Sequence, residues 1–424
     1  VITESDDRIA VIGAGVAGLT AAHILSPHRR VTLYEVDDRL GGHAHTHSLT
    51  DSSGNALAVD SGFIVHNDRT YPNLRRIFAE LGIAVTKTEM SMSIVDEESG
   101  LEYAGGRGFD GIFAQRRRAA SPRFLAVLLQ VKRFHGRAQN YLHKTPDSDL
   151  TTFAEFLARE NFSQDFCRWY AMPLVACVWS SGTATARDYP ARYLFEFLDH
   201  HGMLQVKGSP QWYTVTGGSR AYVDAIATRL TDARVGVGAS EVRRSPDGVT
   251  VTATDGTATE YDAVVIAAHA DDALGLLADP TDAERSVLGA FRYSRNETIL
   301  HQDFSIMPDA KGAHASWNYR IPSASTDDEP PLVTYWMNKL QRLDTDDSYL
   351  VSLGAGNRIA PQHVLAVMEY LHPVYEPASV AAQRRLPELS TGRTVFAGAY
   401  HGWGFHEDGC RSGVAAARAL GIDW

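Results

Sequence analysis

The stretch GGHAHTHS, residues 41–48, sets His43, His45 and His47 at alternate positions. Side chains alternate between the faces of an extended strand, so the three imidazoles would share one face. Imidazole is a common metal ligand, which makes this a candidate metal site. A second set of residues lies just upstream. Gly13, Gly15 and Gly18 form G-x-G-x-x-G, and Glu35 follows 22 residues after Gly13. Gly13 permits a tight turn, Gly15 lets a pyrophosphate approach the backbone, and Gly18 lets a helix pack on a strand. The N–H groups of Val16 and Ala17, at the positive end of that helix, would meet phosphate. Glu35, with Val36 beside it, would accept hydrogen bonds from ribose hydroxyls.

These groups need elements that hold them together. Residues 9–12 are a short apolar, β-branched run, an Ala-rich helical stretch reaches about Leu25, and VTLYE ends in the acid. Strand, glycines, helix, strand and acid fall in the order of a βαβ dinucleotide unit. An acid at that strand end favours an unphosphorylated ribose, as in NAD or FAD, over NADP.

The continuation EVDDRLGGHAHTHS separates these two. Glu35, Arg39, Gly41, Gly42 and Thr46 resemble the second signature of the flavin-containing amine oxidoreductase superfamily. That superfamily includes amine oxidases, protoporphyrinogen oxidase and phytoene desaturases, and its Gly-Gly loop runs along FAD. His43 departs from the pattern, standing where most relatives carry Arg. Near the other end, RTVFAGAYHGWGFHEDGCRSGVAAARAL resembles the superfamily's final flavin motif. The resemblance carries over Gly398, Phe405, His406, Asp408 and Gly409 as flavin contacts, with a strand over 395–397 and a helix from about Asp408 to Leu420. It carries over Val242 to the adenine side, within hairpins marked by an Asp255-Gly256 turn.

The resemblance implies an α/β fold, a Rossmann-like FAD-binding domain with an interleaved α+β substrate domain. Residues 1–105, 208–290 and 385–424 are expected in the FAD domain. Residues 106–207, mainly helical, and 291–384, strand-rich, are expected in the substrate domain. The loop 325–331, STDDEPP, reads as surface. On this reading the histidines lie along FAD and pack against the strand DSGFIVH, and no metal is expected.

HNDRTYPNL, ASWNY, TYWMNKLQ and HGWGFHEDG together resemble a bacterial subgroup of FAD/NAD-binding amine oxidase-like proteins. Its members are often encoded beside cyclopropane-fatty-acid-synthase-like methyltransferases. The setting implies redox modification of fatty acyl chains in phospholipids, foremost desaturation by hydride transfer to flavin N5, with a methyltransferase as partner. The alternatives are an amine oxidase releasing peroxide and a non-catalytic, flavin-bearing lipid-binding subunit. Amine oxidases flank the flavin with tyrosines, whereas Phe405 has no hydroxyl, which tilts toward an apolar substrate. His401 and Tyr335 are the candidate bases. Lys339 resembles the lysine that holds a water near N5 in amine oxidases. LGAGN, with Gly354 and Gly356, lacks the rest of a second dinucleotide fingerprint, so an external electron acceptor is expected.

The bulk properties agree. The chain has 424 residues, a formal net charge of −11 and 44% hydrophobic residues. The length calls for more than one lobe, and the charge argues against nucleic acid as a partner. Three scattered cysteines, Cys167, Cys177 and Cys410, read as free thiols. The first residues carry no signal-peptide pattern and no apolar run reaches bilayer length, so a cytoplasmic protein is expected. Against the acidic background, residues 107–137 hold eight basic residues and one acid, Asp110. Within them FLAVLLQVKRF is amphipathic, so a patch for anionic lipid, in peripheral contact with the inner membrane face, or for an acyl carrier is expected there.

Overall fold

The computed structural model describes residues 7–179, 182–205, 208–323 and 331–424. The expected 325–331 loop lies outside these residues apart from Pro331.

Five strands form an all-parallel sheet in the order Asp232–Val235, Arg30–Glu35, Arg8–Ile12, Ala263–Ile266, Thr394–Phe396. Parallel strands covered on both faces need continuous apolar runs, and RIAVI and AVVI supply them. The helix Val16–Leu25 is buried along its whole length. It lies against the C-terminal helix His406–Ala419, and glycines set the approach. A Cβ on Gly413 would stand 2.4 Å from the Ala17 carbonyl oxygen, and one on Gly409 2.6 Å from the Val16 side chain. The two chain ends are therefore locked side by side.

A second, seven-stranded sheet runs Val364–Val374, Arg292–His301, Leu350–Leu353, Leu332–Trp336, Trp317–Ile321, Met92–Asp96, Leu101–Gly105. Its only parallel pair is Trp317–Ile321 with Met92–Asp96. Met92–Asp96 joins the strands of residues 291–384 through Trp317–Ile321, more than 200 residues away and out of reach of local pattern, and Leu101–Gly105 follows it at the sheet edge. PLVTYWMNKLQRL is strand only through Trp336, because Met337–Leu340 turns into a short helix.

Helices between residues 122 and 204 cover this sheet through an aromatic core. Phe134 sits at its centre, in ring contact with Phe153, Phe156, Phe162, Phe166 and Phe195. The expected hairpins are present as a three-stranded antiparallel sheet over residues 239–261, with Gly256 at φ +85° in the turn.

Candidate active site

The glycine-rich turn is built from backbone. Gly13 takes φ +96°, and a Cβ on Gly18 would fall 1.8 Å from the Gly13 carbonyl oxygen. Gly15 faces open space, with nothing within 4 Å of an added Cβ. The helix that starts at Val16 has no side-chain cap and no acid in its first turn. Its positive end is therefore left for a phosphate. Glu35 is 7% exposed, and its carboxylate accepts from the Ala14 N–H at 2.7 Å and the Asp37 N–H at 2.9 Å. Burial raises its pKa, and the two N–H groups oppose that rise. The segment crossing over the acid is 236–238: the Val237 N–H donates to the Glu35 carbonyl, and a Cβ on Gly238 would meet Val36. Val242 lies farther along, fully buried, with its carbonyl accepting from the Ala278 N–H.

The Gly-Gly loop closes over this turn. The Gly41 N–H donates to the Ala14 carbonyl at 2.9 Å, and a Cβ on Gly42 would meet the Gly15 Cα at 3.1 Å. Arg39 reaches back toward the Ala44 carbonyl. The three histidines then part company. His45 and His47 share a face, their rings 4.2 Å apart, as alternation requires. His45 hydrogen-bonds the Tyr370 hydroxyl and His47 the Ser61 hydroxyl. The first half of DSGFIVH does lie against this segment: the Ser61 N–H donates to the His45 carbonyl and the Phe63 N–H to the His43 carbonyl, following on from the pairing of Thr46–Thr50 with Ala56–Asp60, while Val65–Asn67 crosses to another sheet. His43 stands between Tyr370 and His372, at ring distances of 5.0 and 5.3 Å. Its Nε2 is covered and has no protein partner. Burial holds its pKa well below the usual imidazole value, so the ring is neutral and can donate one N–H.

The C-terminal motif meets the same turn. Its helix starts at His406, two residues before the expected start. The Asp408 carboxylate accepts from the Phe405 N–H at 3.1 Å and so caps that extra turn. Asp408 is 3% exposed and burial lifts its pKa to about 6, with Arg411 at 2.8 Å opposing the rise. His406 turns inward, stacked on Phe63 at 3.9 Å and 2.6 Å from the Tyr222 hydroxyl. Gly398 donates its N–H to Ser412 on the helix. The uncapped helix end, the open face at Gly15, the buried acid and the unpartnered His43 Nε2 fit a dinucleotide that runs on into a flavin.

The model of the family described as flavin containing amine oxidoreductase matches residues 16–421. The chain belongs to this family. It is an FAD-dependent oxidoreductase. Among sequence relatives, a phytoene dehydrogenase of Streptomyces griseus is 29% identical over 285 residues, 61% of this chain and 54% of that protein. The chain therefore spans about half the length of that relative. A CLA-producing fatty acid isomerase from P. acnes superposes with a TM-score of 0.69 at 17% identity, covering 97% of this chain and 98% of that one. Cyclohexylamine oxidase from Brevibacterium oxydans IH-35A superposes with a TM-score of 0.70 at 16% identity, covering 98% and 99%. At such identities these likenesses establish the fold of this oxidoreductase alone.

The remaining sequence candidates lie on separate elements of the oxidoreductase. His401 sits in the short turn Ala399–His401 of the flavin motif, its Nε2 covered and unpartnered, its pKa pulled down to about 4 by burial. Tyr335 lies on the seven-stranded sheet, edge-on to Trp317 at 5.2 Å. Lys339 is committed elsewhere: its ammonium donates to Glu89 at 3.1 Å and to the His314 carbonyl at 3.0 Å. Phe405 joins the two lobes, stacking on Phe197 at 4.7 Å and meeting Trp179 edge-on at 6.2 Å. The Trp179 indole donates to the Trp403 carbonyl at 3.0 Å, which ties the flavin-motif loop to the aromatic lobe.

Sequence reasoning missed two buried acids. Asp60, fully buried, accepts from the Thr46 and Ser219 hydroxyls, the Ser219 N–H and the Gln341 amide. It binds the Gly-Gly loop hairpin to the start of the helix Arg220–Ala227. Glu407, 8% exposed, accepts from the Asn73 and Leu74 N–H groups and so caps the helix Pro72–Leu81. The visible signal for Asp60 was an acid closing the apolar run ALAV, followed far downstream by Gly-Gly-Ser.

Proposed function

We propose that this oxidoreductase desaturates fatty acyl chains of phospholipids. The observation that carries the reading is Phe405. It sits at the head of the flavin-motif helix, stacked on Phe197. It continues the flavin motif into an aromatic lobe without adding a hydroxyl. Such a surface receives hydrocarbon well, and Phe405 has no hydroxyl to hydrogen-bond an amine. Names of similar proteins support it: one is a phytoene dehydrogenase and another a fatty acid isomerase.

FAD, when bound, supplies the acceptor for a hydride at its N5. One acyl carbon would lose that hydride with its electron pair, and its neighbour would lose a proton, leaving a C=C bond. An external acceptor, oxygen or a quinone, would then reoxidise the cofactor. His401 is the candidate for the proton on geometry, since its Nε2 has no protein partner, while burial that draws its pKa down to about 4 makes it a weak base. The aromatic lobe's part is to align the chain and exclude water.

Family membership and the likeness to cyclohexylamine oxidase keep amine oxidation as the second reading. Anaerobic mixing separates them. Flavin absorbance should bleach when phospholipid is added, and the recovered acyl chain should be lighter by two hydrogens. Bleaching by amines and not by lipid would overturn the acyl reading.

A further inference from the structure

We propose that the exposed face of the helix Pro122–Lys144, together with Phe109, docks the enzyme on an anionic phospholipid bilayer. The helix is committed to the protein on one side only, through Phe124, Val127, Phe134, Ala138 and Tyr141. Its other side carries Leu125, 38% exposed, and Leu129, 74% exposed, one turn apart. Phe109, on the segment before the helix, is 64% exposed under the Arg116 guanidinium, and its ring contacts run through Phe113 to the core-facing Phe124. Large apolar side chains left in water at this density mark a contact surface.

The helix itself carries charge of one sign. The helix contains no Asp or Glu. Beyond Leu129 the same face continues through Lys132, Arg133, Gly136, Arg137 and Asn140, which surround a shallow depression of about 390 Å³. Nothing lies within 4 Å of a Cβ at Gly136. That gap between three cations can admit a headgroup phosphate. Arg117, Lys132 and Lys144 make no ion pair with any described residue. In two of the pairs here the cation is the more exposed member, Arg123 at 63% against Asp165 at 25% and Arg137 at 53% against Glu160 at 20%, whereas beside Phe109 Arg116 at 68% pairs with Asp110 at 81%. The chain as a whole carries −11 and would be repelled by an anionic surface. Only a local reversal lets it approach, and this face supplies one. Apolar insertion combined with a basic rim gives reversible binding at the headgroup level. Among the described residues no helix is long and apolar enough to cross a membrane, so contact here would be peripheral.

The test is flotation of the FAD-loaded full-length enzyme with vesicles of phosphatidylcholine alone or mixed with phosphatidylglycerol. Binding should require the anionic lipid and be released by high salt. Lys132→Gln should lower partitioning about 5-fold, and Leu129→Asp at least as much. Both side chains are exposed and unpaired, so flavin content and thermal unfolding should not change. Equal recovery on both vesicles, undiminished binding of both variants, or capture by an acidic acyl carrier protein with no vesicle binding would each overturn the proposal. The assay reads binding and not turnover, so it stands or falls apart from the acyl reading.

Discussion

The flavin cradle and the aromatic lobe are built from different materials. In the cradle, the decisive atoms belong to the backbone: the Gly13 carbonyl against Gly18, the Ala17 carbonyl against Gly413, the N–H groups at the start of Val16–Leu25. In the lobe they belong to side chains: Phe134 and its ring neighbours, Trp179, Phe197 and Phe405. A backbone cradle leaves no room for a single added carbon. A side-chain lobe can be reshaped at one position while the fold stands. The first would hold the family's shared cofactor, and divergence in substrate can be carried by the second.

Substitutions should divide along that line. The largest effect should come from Gly18→Val. The added carbon meets a carbonyl oxygen that no rotamer change can move, so a loss of about 3 kcal/mol is expected. Purified protein should carry almost no flavin. Retention of flavin with unchanged melting would show that the helix can slide, and the backbone account of the cradle would fail.

Next in size is a pH effect on stability. Burial draws the His406 pKa down to about 3 in the folded protein. Unfolded, it titrates near the ordinary value of about 6.5. As pH falls below that value the unfolded chain takes up a proton that the folded chain refuses. His406 thus subtracts nothing above the unfolded pKa and progressively destabilises the fold below it, by about 2 kcal/mol at pH ~5. The melting temperature of wild type should fall between neutral and mildly acidic pH, and that of His406→Gln should fall less. Parallel pH profiles would remove His406 from the cause.

Phe405→Tyr probes the junction. Flavin content should stay unchanged, while kcat/KM on an acyl substrate should fall about 10-fold, since an unpaired hydroxyl in an apolar contact costs roughly 1–2 kcal/mol. A gain on amines with no loss on lipid would favour the amine reading. The smallest effect is expected for His43→Arg, which restores the residue found in most relatives. The flavin-to-protein absorbance ratio should not change, and loss of flavin would break the assignment of this loop.

The glycine-rich βαβ unit was readable because its parts are close in the chain, whereas the approach of Gly413 to Ala17 was not. Gly13 to Glu35 form one local unit, and the Asp255-Gly256 hairpin folds on itself. The helix start was misjudged by two residues because its cap, Asp408, reaches backward to Phe405. The histidines showed their alternation in sequence, but only His45 and His47 keep it. His43 lies in the turn that follows Gly42 and faces Tyr370 and His372 from a strand over 300 residues away. The lobe was readable only as composition, since its ring contacts join helices that no short pattern links.

The sequence by itself determined the glycine-rich βαβ unit, the family and the basic, amphipathic character of residues 122–144. Those are set by residue type at fixed local spacing. Tertiary structure decided what lies beside what. It moved Met92–Asp96 and Leu101–Gly105 into the large sheet through register with Trp317–Ile321. It made Asp60 a buried hub and tied Lys339 to Glu89. It left Leu129 in water, where periodicity gave two faces but not which one the core would take. Burial and long-range pairing depend on the whole chain folding at once, and no local stretch contains them.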